Sequence, residues 1–376
     1  MQISDAFDSG NIEVRAVDGA TARLAIRPDP GEEGFFQWFH FRASGVRGQS
    51  LELVIENAGD ASYPKGWEDY RACASYDREV WFRCDTDYAD GRLTIRLQAE
   101  ADAVWFAYFA PYSRERHHDL IAACQRRPGC RHEVLGRTLD GEDMDLLTIG
   151  EPGAGKKVFW AIARQHPGET QAEWWMEGFL PRLLDPDDPV SRALLARAVC
   201  YVVPNMNPDG SRRGHLRTNA VGANLNREWD KASLERSPEV FHVLSRMDST
   251  GLDICLDVHG DEALPYNFIA GGEGVPGFDE RLAGLLDRFE RALERANPDF
   301  QRVHGYPKAK PNSSTVLSTS TKQLTDRFGA LAMTLEMPFK DNAEAPDPQC
   351  GWSPARCRLL GRAAVDAFHD ALGALD

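Results

Sequence analysis

The chain has 376 residues, 42% hydrophobic and 27% charged, with a formal net charge of −15. That length suits two domains, and the composition is that of a globular protein. The acidic balance argues against a nucleic-acid partner and against general attraction to anionic membranes, both of which call for a basic surface. No run of about 18 apolar residues is present to span a bilayer. Residues 1–8 lack the basic and apolar regions of a secretory signal, so a cytoplasmic location is expected. The eight cysteines are scattered without a CxxC pair, which predicts reduced, mostly buried thiols. Cys124 and Cys130 alone are close enough in sequence to invite a bridge.

Up to about residue 120 the pattern is β. Half-buried strands are expected over 38–42, 51–55, 80–83 and 93–97, and a longer apolar one over 103–109. Turn residues separate them at short intervals, as in an antiparallel sandwich. Aromatic residues are dense here, and core packing accounts for them. After Pro111 the character changes. A strand is predicted over 158–163, then a helix over 170–184 carrying Trp174, Trp175, Phe179 and Leu183. Further strands are expected over 198–203, 252–258 and 330–335, with a closing helix over 354–372. Continuous apolar strands alternating with helices mean an α/β sheet covered on both faces. The expected division is a β-sandwich domain over 1–120 and an α/β domain over 121–376.

Function in such sheets gathers at the carboxyl ends of strands, and four chemically loaded segments fall there. They are His166-Pro167-Gly168-Glu169, the loop 204–210 (PNMNPDG), Asp257-Val258-His259-Gly260-Asp261, and residues 334–339 (TLEMPF). Taken singly, each has an ordinary structural explanation; their joint occurrence in this order carries the weight. A hydrolytic zinc needs three protein ligands and an open position. His166, Glu169 and His259 form a His₂Glu set. Glu336, at the end of another apolar strand, is the carboxylate that can shuttle a proton. Asp257 or Asp261 can fix the tautomer of a ligating imidazole. Between these segments lie Arg217 and the pair Asn226-Arg227, donors suited to a carboxylate anion.

The order HPGE, NPDG, R…NLNR, DVHG and TLEMPF resembles the M14 metallocarboxypeptidases, and within them the cytosolic carboxypeptidase branch. The β-rich N-terminal part resembles the sandwich domain of that branch. The resemblance implies a mixed-sheet zinc carboxypeptidase fold (α/β/α) preceded by a smaller antiparallel β-sandwich. It implies one zinc per chain on His166, Glu169 and His259, and Glu336 as general base and then acid. Arg217 would polarise the scissile carbonyl, with Arg212 and Arg213 as nearby rivals. Asn226 and Arg227 would clamp the substrate's terminal carboxylate, making the enzyme an exopeptidase acting on peptide or protein C-termini. The family's substrate-capping tyrosine has no counterpart over 312–334. Tyr266 and Tyr306 are the only tyrosines between His259 and Glu336, and neither sits where the cap is expected.

The branch is associated with removal of C-terminal acidic residues, including glutamates. Lys322 and Arg327 lie ahead of Glu336 and are the candidates to receive an acidic side chain. Two other functions compete. A zinc deacylase of the aspartoacylase or succinylglutamate desuccinylase type shares the HxxE…H pattern, but lacks the NPDG and TLEMPF segments and the β domain. A catalytically silent peptide-binding module would be expected to have lost a ligand or the base, and all four are retained.

Overall fold

The computed structural model describes residues 1–309 and 316–375. The N-terminal part supplies ten strands: β1 (Gln2–Ser4), β2 (Glu13–Asp18), β3 (Thr21–Ala25), β4 (His40–Ser44), β5 (Ser50–Ile55), β6 (Cys73–Ser75), β7 (Phe82–Arg83), β8 (Asp85–Ala89), β9 (Arg92–Gln98) and β10 (Ala103–Ala107). They form two five-stranded sheets, β1-β4-β10-β6-β7 and β2-β3-β5-β9-β8. Strand alternation explains their packing. Leu51, Leu53 and Ile55 on β5 and Leu93 and Ile95 on β9 are buried in the same core as Phe41, Ala43, Val104 and Phe106 of the other sheet. Phe41 stacks on Phe106 with ring centroids 5.4 Å apart.

The sandwich departs from the expected all-antiparallel pattern in one place: β3 and β5 pair in parallel. The chain between them visits the other sheet as β4, and such a crossover is what a parallel return requires. The strand expected over 80–83 is reduced to two residues, Phe82–Arg83.

The second part contains α1 (Arg114–Gln125), β11 (Cys130–Arg137), β12 (Asp143–Ile149), β13 (Lys157–Ala163), α2 (Gln171–Leu183), α3 (Pro189–Arg197), β14 (Ala198–Val203) and α4 (Pro208–Arg213). It continues with α5 (Pro238–Thr250), β15 (Ile254–Asp261), β16 (Phe268–Gly271), α6 (Glu280–Ala296), α7 (Ser320–Phe328), β17 (Leu331–Pro338) and α8 (Pro354–Leu372). One seven-stranded mixed sheet, ordered β11-β12-β14-β13-β15-β17-β16, runs through it. Its four central strands, β14, β13, β15 and β17, are parallel, and the edges are antiparallel. Alternation sorts the central side chains into two layers. Phe159, Ala161, Leu256 and Val258 join the core under α2, α6 and α8. Trp160, Ile162 and Cys255 join the core under α5. Register then decides what meets at the carboxyl edge: Ala163 pairs with Val258, and His259 with Glu336.

The sandwich and the mixed sheet share one continuous apolar core. Tyr108 stacks on Phe339 at 4.5 Å. Buried Arg83 donates to the carbonyls of Arg71 (2.7 Å), Phe339 (2.8 Å), Trp352 (3.0 Å) and Cys350 (3.1 Å). Helix α1, which spans residue 120, packs on β11, β12 and α2. The eight cysteines are free, Cys124 and Cys130 included. No helix among the described residues is long and apolar enough to cross a membrane.

Replacing Arg83 strips donors from buried carbonyls on both sides of this seam, and each orphaned group costs about 1–3 kcal/mol. Arg83→Met is expected to lower the unfolding free energy by roughly 3 kcal/mol, read from urea denaturation. A loss under about 1 kcal/mol would show that the seam holds without it.

Candidate functional site

Strand β13 ends at Ala163, and the next residue, Arg164, takes a left-handed backbone conformation with φ of 58°. A residue with a Cβ resists that conformation by about 1–2 kcal/mol, so its surroundings must hold it there. They do: Arg164 is buried, with Nε donating to Pro167 O (2.9 Å) and Nη1 to Tyr112 O (3.0 Å) and to the Glu173 carboxylate. Glu173 also accepts from Asn205 Nδ2 at 3.1 Å and pairs with His117 Nδ1 at 2.8 Å; His117 Nε2 meets Asp145 at 2.9 Å. The turn that follows is pinned from outside. Asn207 of the NPDG loop donates to Gln165 O at 3.0 Å, and Gly168 N donates to Leu216 O at 2.9 Å. A Cβ on Gly168 would sit 3.0 Å from that same oxygen, a tight contact that favours glycine.

The turn brings His166 and Glu169 against His259, which β15 delivers. Glu169 Oε1 lies 2.7 Å from His166 Nδ1, Glu169 Oε2 lies 2.7 Å from His259 Nδ1, and the two Nδ1 atoms are 3.2 Å apart. The three side chains are buried, and their ligand atoms lie within 4.8 Å of one another. The outer nitrogens have partners of their own. His166 Nε2 is 3.1 Å from Asn224 Oδ1, and His259 Nε2 is 3.0 Å from Asp257 Oδ2. Those acceptors fix the ring protons on Nε2 and turn both Nδ1 lone pairs inward beside a carboxylate. Two imidazoles and one carboxylate converging in this way fit zinc in its hydrolytic three-ligand form. The open alternative at the outer partner is resolved: Asp257 holds His259. Asp261 accepts instead from Ala263 N, Leu264 N and Tyr306 Oη.

The two histidines differ in their electrostatics: against burial, Asp257 and Glu169 push the His259 pKa well up. Burial, with help from Arg217, pushes the His166 pKa down to about 4, the neutral form a metal needs. Against burial, His166 and His259 hold the Glu169 carboxyl well below the usual carboxylate range. Burial pushes Glu336 up, with His259 opposing. Glu336 Oε2 is buried with no hydrogen-bond partner, and Oε1 lies 3.3 Å from Tyr306 Oη. Position 336 therefore presents a carboxylate oxygen beside the ligand cluster, on the strand register opposite His259.

These residues line one cleft of about 460 Å³, with Arg217, Asn226, Arg227 and Lys322 on its walls. Asn226 Oδ1 accepts from Ser320 N at 2.9 Å, which leaves Nδ2 as the donor for the cleft. Arg227 Nη1 donates to Asn226 O at 2.7 Å. The rivals of Arg217 are engaged elsewhere: Arg212 and Arg213 pair with Asp140. Two expectations are corrected. Arg327 does not line the cleft; it sits in the last turn of α7 and forms a two-point ion pair with Asp248 on the surface. Helical periodicity turns it away from the wall that Lys322, five residues earlier, helps to form. Tyr306, set aside on sequence spacing, does line the cleft, because the chain after α6 returns to β16 and β17 and stacks its ring edge-on against Phe268.

Residues 3–109 match the model of the cytosolic carboxypeptidase N-terminal domain, and residues 118–340 match that of the zinc carboxypeptidases, peptidase family M14. The chain belongs to the M14 zinc carboxypeptidase family. It is a metallopeptidase of the cytosolic carboxypeptidase branch, with the fold expected from its sequence. An uncharacterized protein of Zymomonas mobilis is 53% identical over 362 residues, covering 96% of this chain and 94% of that one. The solved metallo-carboxypeptidase of Pseudomonas aeruginosa, in complex with (2-guanidinoethylmercapto)succinic acid, is 43% identical. It covers 100% of both chains with a TM-score of 0.97. Mouse cytosolic carboxypeptidase 6 is 29% identical over 294 residues, covering 70% of this chain and 54% of the mouse protein.

Several residues of the carboxypeptidase site were passed over by sequence reasoning. Arg164 and Gln165 stand as two long polar side chains between an apolar strand and the first ligand, and that is the signal that could have found them. Gln165 is fully buried: it donates to Asp257 and accepts from Trp229 Nε1 at 2.8 Å. Glu173 and His117 carry no local signal, since their pairing crosses 56 residues.

Two predictions follow from these supports. Asp257→Asn is expected to weaken zinc binding by about 10–100-fold, as lost outer partners of ligating histidines do, measured by chelator competition. An unchanged affinity would remove Asp257 from that role. Burial would lower the His117 pKa, but Asp145 and Glu173 outweigh it and hold it at about 9. This folded value lies above the unfolded one, so the stability it contributes is complete below about pH 6.5 and lost as pH rises through 9. His117→Gln is expected to cost roughly 3 kcal/mol at pH 6 and much less at pH 10, by denaturant unfolding at the two pH values.

Proposed function

We propose that this protein is a metallocarboxypeptidase that removes the C-terminal residue of peptides or proteins, working in the cytoplasm with one zinc per chain. The observation that carries this reading is the convergence of His166, Glu169 and His259 with the unpartnered Glu336 oxygen in a cleft walled by Arg217, Asn226 and Arg227. Zinc held by His166, Glu169 and His259 supplies Lewis acidity and makes water a stronger acid.

The remaining work falls to this chain's own groups. Glu336 takes a proton from the attacking water and passes it to the amine nitrogen as the C–N bond breaks. Arg217 donates to the oxygen that becomes negative as water adds to the carbonyl. Asn226 Nδ2 and the Arg227 guanidinium bind the terminal carboxylate, which restricts cleavage to the last peptide bond. Tyr306 keeps its proton, because burial and the carboxylates of Glu336 and Asp261 push its pKa far up. Its hydroxyl donates to Asp261 at 2.6 Å, and by turning from that carboxylate it would donate over bound substrate and take the place of the capping tyrosine.

Lys322 supports a preference for acidic C-terminal side chains. It lines the cleft, and no carboxylate among the described residues pairs with its ammonium. The deacylase reading lacks a feature of this site in its favour, and both carboxylate-clamping residues of the exopeptidase reading line the cleft.

Glu336→Gln is expected to keep zinc and lose about 10²–10⁴-fold in kcat, the usual reach of general acid–base catalysis; undiminished turnover removes Glu336 as the base. Peptides ending in Glu, Lys or Leu, with and without chelator and read by mass spectrometry, test the specificity. Glu should be released fastest, and Lys322→Ala should cost at least about tenfold in kcat/KM for Glu alone. Faster release of Leu or Lys by the unmodified enzyme would overturn the acidic preference.

A further inference from the structure

Arg217 lies in an irregular loop between α4 and the single helical turn Leu225–Arg227. Nothing in its own secondary structure holds it. Beside the Gly168 N–Leu216 O and His215 Nδ1–Thr218 O bonds of its own domain, the supports come from the N-terminal sandwich, some 190 residues away in sequence. Asp29 is buried, and its carboxylate receives three consecutive backbone amides of this loop: Leu216 N at 2.7 Å, Arg217 N at 2.8 Å and Thr218 N at 2.9 Å. Thr218 Oγ1 adds a fourth bond at 3.1 Å. The guanidinium is faced by two rings of the same sandwich, Phe35 at 5.6 Å and Tyr63 at 5.4 Å.

Each of these groups is itself held. Asp29 N donates to Phe35 O at 2.7 Å, closing the 29–35 loop on itself. Gln37 clasps Tyr63, accepting from its N–H at 2.9 Å and donating to its carbonyl at 3.0 Å. The two loops touch directly: a Cβ on Gly222, already at φ +81°, would come within 2.4 Å of Pro30 O. The far end of the loop is tied down separately, where Asn219 Oδ1 accepts from Ala223 N at 3.0 Å.

We infer that Asp29 is a positioning residue for catalysis: through the backbone of residues 216–218 it sets where the Arg217 guanidinium stands in the cleft, and the sandwich is thereby part of the active site. A carboxylate is suited to this task because it accepts from several amides at once, and charge-assisted bonds of this kind are about twice as strong as neutral ones. The rings of Phe35 and Tyr63 then limit the side chain laterally by contact with its cation. A displacement of about 1 Å in such a group can cost on the order of 10²-fold in rate. An Asn at position 29 keeps the size but turns one acceptor into a donor, against an amide that also donates.

This inference rests on the proposed role of Arg217 as the donor to the developing oxyanion. The test is a double-mutant cycle in the full-length zinc enzyme with a C-terminal Glu peptide. Arg217→Ala should lower kcat by about 10²–10³-fold. Asp29→Asn should lower kcat by roughly 10–100-fold, with KM, zinc content and thermal midpoint near those of the unmodified enzyme. Added to Arg217→Ala, Asp29→Asn should cost nothing further, because the group it aims is gone. If Arg217→Ala is harmless, the role of Arg217 fails and the inference fails with it. If Arg217→Ala is damaging and Asp29→Asn is not, the inference alone fails. Equal losses from Asp29→Asn with and without Arg217 also overturn it, since Asp29 would then act elsewhere. Should Asp29→Asn lose zinc or fail to fold, Phe35→Leu takes its place in the same cycle. The same coupling is then expected, and independent losses count against the inference.

Discussion

Burial of polar groups at the carboxyl edge of one sheet is the constraint on which the rest of this structure depends. Two imidazoles and a carboxylate sit there almost without access to water, and each would be costly to bury alone. They are tolerated because every outward-facing atom has a partner. His166 meets Asn224, His259 meets Asp257, and Asp257 is held in turn by Gln165 and Ser320. One shell further out, Arg164, Glu173, His117 and Asp145 form a second chain of ion pairs behind the same turn. A buried pair of this kind contributes little net stability but is expensive to break. Its consequence is geometric: the left-handed Arg164 and the turn after it have one arrangement with all partners satisfied.

The same constraint explains why the two parts of the chain cannot be treated as independent. The mixed sheet brings His166, Glu169, His259 and Glu336 together at its strand ends, while the loop carrying Arg217 is held partly by its own domain and partly by Asp29 of the sandwich. The sandwich covers that loop, shares the apolar core, and sends Arg83 into the carbonyls around Phe339 and Trp352. A seam built from a continuous core and multiply bonded buried polar groups is that of one body, unlike the small polar contacts between freely moving domains.

Charge is distributed against the average. A chain of net charge −15 places Arg217, Arg227 and Lys322 together in its cleft. Under the proposed function these cations are the groups that would receive a terminal carboxylate. The same cleft is lined by the carboxylates of Glu169, Asp261, Glu262 and Glu336, so cations and carboxylates face one space there.

How much of this was legible beforehand follows from the range over which each signal acts. Strand periodicity and apolar runs are local, so the main strands, the helix after the first ligands and the closing helix over 354–372 were readable, the last to the residue. Ligand types at strand ends were readable too, because parallel sheets gather chemistry there and His166, Glu169, His259 and Glu336 each terminate or follow an apolar run. What the sequence could not settle were choices between equivalent residues. Asp257 and Asp261 flank His259 alike on one face of β15, and only the tertiary surroundings assign one to the histidine and the other to Tyr306. Lys322 and Arg327 share a helix, and only packing turns one into the cleft and the other to Asp248. Tyr306 reaches the cleft through a return of the chain that no local pattern announces. The sequence by itself pointed to the candidate ligands and to the class of fold, since both are written in residue types and short spacings. Tertiary structure alone decided which side chains face that chemistry and that Asp29, 188 residues before Arg217, holds its loop, because contacts at that separation leave no periodic trace in the chain.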